Sequence, residues 1–111
     1  MDVLNQAQVE AEIMRLSGLA ERATTALAKR ARASAEADAK FKVEFAKEFL
    51  KAEGSVDARN ATANVICAHL YLQRKITEAE LMAAQEAGRN YRAQLDALRS
   101  INANLRPLVT S

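Results

Sequence analysis

The chain has 111 residues, with 16 basic and 14 acidic side chains, one histidine and a formal net charge of +2. That mixture suits solvated helix faces and gives no signal for nucleic acid by itself. Half of the residues are hydrophobic, many of them alanine, with three Gly, one Pro and no runs of β-branched and aromatic residues, which excludes a sheet and predicts one all-α domain.

Residues 1–8 read as a short lead-in, in which Asp2 can cap and Val3 and Leu4 are apolar. Helix 1 is predicted over about 5–52. Ser17-Gly18 weakens it in propensity, but the apolar stripe keeps phase through Ala20, so a local weakness is expected and not an end. The turn is predicted at 53–55. Gly54 suits the position just past a helix end, where positive φ is needed and a Cβ would clash. Lys51 in the last turn before it meets the negative end of the helix dipole. Ser55 suits an N-cap, and Asp57 follows in the first turn of the next helix. A glycine inside one continuous helix would cost about 1 kcal/mol relative to alanine. It would also leave the stripe in water.

Helix 2 is predicted over about 56–105. Thr77-Glu78-Ala79-Glu80 contains a T-x-x-E capping box that could start a separate helix. No Gly or Pro precedes it, so an unbroken helix is preferred. Pro107 disfavours helix at Arg106 and closes the pattern, leaving a tail that ends at Ser111.

The spacing of apolar residues sets the pairing. Val9, Ile13, Leu16, Ala20, Ala23 and Leu27 step by four and three, as do Leu81, Ala84, Gly88, Tyr91, Leu95 and Leu98. That is the spacing of a seam between two helices, and folding at Gly54 requires facing residue numbers to sum to about 108. Ala20 then meets Gly88 and Ala23 meets Ala84, so the helix axes are expected to come close there. Nearer the turn Phe41 meets Ile66 and Phe45 meets Ala63. The predicted architecture is a long antiparallel helical hairpin, coiled-coil-like.

Between these layers the seam turns polar. Arg30 faces Thr77, Ser34 faces Arg74 or Gln73, and Asp38 lies near Leu70. A buried charge needs a partner. Either the arms splay or shift register there and leave these groups wet, which is preferred, or the belt fixes register or contacts a ligand. Phe41, Phe45 and Phe49 share one face, with Val43 and Leu50 nearby, and helix 2 carries Val65, Ile66, Cys67, Leu70, Tyr71 and Leu72. These arcs are wider than a two-helix seam needs. Oligomerisation into a helical bundle, most simply a dimer, is predicted through Phe41, Phe45, Phe49, Ile66, Leu70 and Tyr71.

No enzyme constellation is present. His69 and Cys67 are two residues apart and point apart on a helix, and too few soft ligands exist for a zinc site. No phosphate-binding glycine loop occurs, and no catalytic residue, metal or cofactor is assigned. One cysteine excludes an internal disulfide and fits a reducing compartment. With no signal peptide and no long apolar run, a soluble intracellular protein is expected, with no membrane partner. The best polar cluster is at the turn, where Lys47, Lys51 and Arg59 surround the start of helix 2 with Ser55 and Asn60. Free N–H groups and cations there would make an anion site. Solvated lysines beside a cap are the plainer explanation. A second basic cluster, Arg89, Arg92, Arg99 and Arg106 with Arg15 and Arg22, is interleaved with Glu10, Glu12, Glu21, Glu86 and Asp96, which weakens it as a phosphate track.

Two stretches carry a resemblance. F-K-V-E-F-A-K-E-F-L-K-A-E-G-S-V-D-A-R-N-A-T-A (41–63) and R-A-Q-L-D-A-L-R-S-I-N-A-N-L-R (92–106) resemble short helical proteins of tailed bacteriophages. The resemblance implies a phage gene product in the host cytoplasm, in the setting of phage DNA metabolism or interference with host defence. It transfers no activity and no site. Three functions are in view. The first is a non-enzymatic phage accessory protein, an oligomeric hairpin binding an anionic partner such as nucleic acid or a nucleotide. The second is an antagonist of a host defence or host enzyme that acts by binding a host protein. The third is a purely structural coiled-coil element.

Overall fold

The computed structural model describes residues 5–110, with side chains up to Leu105. Asp2, Val3, Leu4 and Ser111 lie outside the described residues. The described residues form three helices, α1 (Gln6–Lys51), α2 (Val56–Ile66) and α3 (Ala68–Thr110). The fold is an antiparallel helical hairpin, with α1 as one arm and α2 and α3 as the other. No described helix is long and apolar enough to cross a membrane.

The turn forms where its residues require it. Lys51 closes α1, and Gly54 takes φ +110°, the only positive φ among the described residues. A Cβ there would sit 3.3 Å from the Ala58 Cβ. Ser55 is the N-cap of α2 in extended conformation, and its hydroxyl oxygen accepts from the Ala58 N–H at 3.2 Å. Asp57 lies in the first turn of α2.

The second arm departs from its predicted single helix at Cys67. Its φ of −94° and ψ of 9° lie in the bridge region between helix and strand. The break leaves Cys67 fully hydrogen-bonded. Its N–H donates to the Ala63 carbonyl, and its own carbonyl accepts from both Leu70 and Tyr71 at 3.0 Å. A break satisfied in this way needs neither glycine nor proline. Thr77 starts no helix. It is buried inside α3, and its hydroxyl donates to the carbonyls of Gln73 and Arg74. Helix α1 passes through Ser17-Gly18 without interruption.

At the far end α3 continues through Pro107 to Thr110, beyond the predicted stop. Pro107 has no N–H to donate to the Ala103 carbonyl, so this last turn forms with one ladder hydrogen bond fewer.

The chain divides into two compact units. One comprises Met1–Leu27 with Ala84–Ser111, the other Ala28–Ala83. In the first, the predicted stripes face inward. Val9, Leu16 and Leu95 are buried, and Ile13, Ala20, Ala23, Ala84, Gly88, Tyr91 and Leu98 are half-buried. No atom of Ala20 lies within 4 Å of where a Cβ on Gly88 would stand. A Cβ built on Gly88 meets only the Arg92 guanidinium, at 3.8 Å.

In the second unit Ala63, Cys67 and Thr77 are buried, and the pairing differs from prediction. Phe41 packs on Tyr71, with ring centroids 5.8 Å apart, and Ile66 is exposed. Asp38 pairs with Arg74 at 2.8 Å, and Arg30 with Glu80 at 2.7 Å. These partners, Glu80 for Thr77, Arg74 for Leu70 and Tyr71 for Ile66, lie three to five residues, about one helical turn, further along the second arm than the predicted ones. A stripe stepping by three and four looks the same after a shift of one turn, so the spacing alone allows either register.

Candidate functional site

Four of the five residues expected to bind an anion, Lys47, Lys51, Ser55 and Arg59, are engaged within the turn unit. The Arg59 Nε donates to the Ala52 carbonyl at 2.9 Å, and its guanidinium lies 5.4 Å from the centre of the Phe49 ring. Arg59 thus caps the end of α1 and covers an aromatic face. Lys47 pairs with Glu44 at 3.4 Å, and Lys51 with Glu48 at 3.7 Å, each on its own helix. Ser55 serves Ala58, as above. Asn60 points to a different feature.

That feature is an apolar depression of about 420 Å³ lined by Phe45, Ala46, Phe49, Leu50 and Asn60. Phe45 and Phe49, and likewise Ala46 and Leu50, are one turn apart on α1, so the four form one flank of that helix. Asn60 reaches the edge from α2. Phe45 and Phe49 are half-buried, and Leu50 is 75 % exposed. The other residues expected at an interface divide between two settings. Phe41 and Leu70 are half-buried, and Phe41 stacks on Phe45 at 5.7 Å, so Phe41 serves the hairpin's own core. Ile66 and Tyr71 are exposed, at 46 % and 48 %. Leu50 and Ala46 complete the depression, and the i, i+1, i+4, i+5 pattern with the phenylalanines is the sequence signal for it.

The polar belt is ion-paired across the arms in the shifted register, and its groups stay partly in water, with the Arg30 and Glu80 side chains 52 % and 42 % exposed. Arg74 Nε lies 2.8 Å from Asp38 Oδ1 and 3.3 Å from Glu78 Oε1, and its guanidinium stands 5.4 Å from the Phe41 ring centre. Its N–H is not aimed at either carboxylate, so these contacts are Coulombic and not good hydrogen bonds. Lys42 pairs with Asp38 at 2.9 Å. The Lys42 ammonium holds the Asp38 carboxyl below its ordinary value, against the opposing effect of burial, with Arg74 adding the smallest contribution. Ser34 is half-buried.

In the other unit three arginines pair along their own helices, Arg15 with Glu12, Arg89 with Glu86 and Arg99 with Asp96. The Arg106 side chain lies outside the described residues. A second cavity, about 340 Å³, is lined by Ile13, Arg99, Asn102 and Ala103. Asn102 is buried with its Oδ1 unpartnered. It continues the Leu95–Leu98 seam by one more step, and an unmet buried acceptor costs about 1–3 kcal/mol.

Cys67 is buried, and burial, followed by the Glu48 and Glu44 carboxylates, pushes its thiol pKa up. His69 is exposed. Among the described residues no group of three or more His, Cys, Asp or Glu is placed to hold a metal ion. Compared with family models, curated proteins and solved structures, the chain matches none.

Proposed function

We propose that this chain is a non-enzymatic helical hairpin that binds protein, taking an apolar helix face into the depression lined by Phe45, Ala46, Phe49, Leu50 and Asn60. One observation carries this reading, an almost wholly apolar concavity on a helix flank with Leu50 standing 75 % exposed at its rim. A groove of this kind suits an amphipathic helix, whose side chains at every third and fourth position fill it. In the setting implied by the phage resemblance, the protein acts in the host cytoplasm as an antagonist of a host defence or a host enzyme.

Binding of a nucleotide or nucleic acid at the turn has less in its support. Arg59 is bound to a carbonyl and to Phe49, and both lysines have carboxylate partners. An anion there would have to displace these contacts.

The test places a photo-crosslinking phenylalanine analogue at Ala46 and, as a control, at the exposed Lys40. Irradiation of bacterial cells should give a discrete protein adduct from position 46 and none from position 40. No adduct from 46, or the same adducts from both positions, would refute the docking surface.

A further inference from the structure

We infer that α2 is a hinged flap, which swings on the turn at Gly54 and the break at Cys67 while α3 stays fixed to α1. Both ends of α2 are joints. At one end Gly54 holds φ +110°, and a glycine passes between backbone regions that other residues avoid. At the other end Cys67 belongs to neither helix, with φ −94° and ψ 9°. Its N–H donates to the Ala63 carbonyl of α2, and its carbonyl accepts from Leu70 and Tyr71 of α3. These bonds lie on opposite sides of the Cys67 Cα. A change in its φ and ψ therefore turns α2 against α3 and breaks none of them. Hinge residues sit at element ends in this way and absorb the backbone change.

The two sides of the hinge are held unequally. Beyond it α3 is tied to α1 by Arg74 with Asp38 at 2.8 Å, Glu80 with Arg30 at 2.7 Å and Tyr71 against Phe41. Helix α2 buries one residue, Ala63. Its polar hold is Arg59, whose Nε donates to the Ala52 carbonyl at 2.9 Å and whose guanidinium covers Phe49. Among the described residues no other α2 side chain is hydrogen-bonded outside its own helix. A segment with so few buried contacts opens locally, without unfolding the whole domain. Arg59 is thus the latch.

Opening lifts the guanidinium from Phe49 and carries Asn60 away from the depression that both residues line. The flap then sets how much apolar surface a partner meets. That consequence rests on the docking reading above, whereas the hinge itself does not.

The experiment is thiol labelling by a small disulfide reagent at fixed pH, across low urea concentrations. Cys67 is the only thiol of the chain, so Cys67→Ala gives a blank background. Ala63→Cys then places the probe on the buried face of α2, and Thr77→Cys places it in the fixed part of α3. Position 63 should label at a rate nearly independent of urea, since a swinging flap exposes little new surface. Position 77 should label only through global unfolding, with a rate that climbs with urea. Arg59→Ala should speed labelling at 63 about fivefold, as expected for the loss of one hydrogen bond. Helical circular dichroism checks each fold. Should Ala63→Cys not fold, native Cys67, one turn along the same face and 1 % exposed, is the probe in the otherwise unsubstituted chain. Equal rates and equal urea dependence at 63 and 77, or no acceleration by Arg59→Ala, overturn the flap. Crosslinking from position 46 decides the docking surface separately, so either proposal can fail while the other stands.

Discussion

Replacing Gly18 or Gly88 with alanine should stabilise the protein, and replacing Gly54 should destabilise it. Both helical glycines have room for a methyl group. A Cβ on Gly18 meets nothing within 4 Å, and one on Gly88 meets only the flexible end of Arg92 at 3.8 Å. Glycine in a helix interior costs about 0.5–1 kcal/mol relative to alanine, chiefly through unfolded-state entropy, so each substitution should add that much. In a domain of this size 1 kcal/mol raises the melting temperature by about 4–8 °C. At Gly54 the signs reverse. Alanine would have to hold φ +110° and accept a Cβ contact of 3.3 Å with Ala58. Backbone strain of that kind costs about 1–3 kcal/mol. Urea and thermal unfolding followed by helical circular dichroism measure all three. A destabilising Gly88→Ala would restore the tight Ala20–Gly88 packing that the spacing predicted. A neutral Gly54→Ala would show that the turn does not depend on positive φ.

The Asp38 carboxyl has its folded pKa depressed below the ordinary 3.8, so its stabilisation is fully present above that value and lost as pH falls below it. Asp38→Asn should lower the melting temperature at neutral pH and lessen its fall at acid pH, and a variant with the wild-type acid profile would show that the carboxylate contributes nothing. Arg59→Ala removes the bond to Ala52 and the cover on Phe49 and should cost about 1 kcal/mol of stability in urea. The same protein combined with Lys51→Ala should bind nucleotides and short DNA no differently from wild type, and a salt-dependent loss on titration would revive the anion site at the turn.

The sequence by itself determined the helical class, the fold point and the chemistry of the turn. Gly54, Ser55 and Asp57 each act through backbone groups within a few residues, so their signals are local and survive any tertiary arrangement. It also determined which stripe faces inward, since Val9, Leu16 and Leu95 stand where the spacing puts them. Only the tertiary structure decided the register between the arms. A seam repeating every three and four residues is unchanged by a slip of one turn, and the contacts that break the tie, Asp38 with Arg74 and Phe41 with Tyr71, join residues far apart in the chain. The break at Cys67 was equally hidden, because both its hydrogen-bonding groups stay satisfied without a glycine or proline to mark it. The turn cations show the same limit. Composition placed Lys47, Lys51 and Arg59 near one helix start, but the carboxylates and the Ala52 carbonyl that engage them depend on side-chain direction, which folding sets and residue spacing does not.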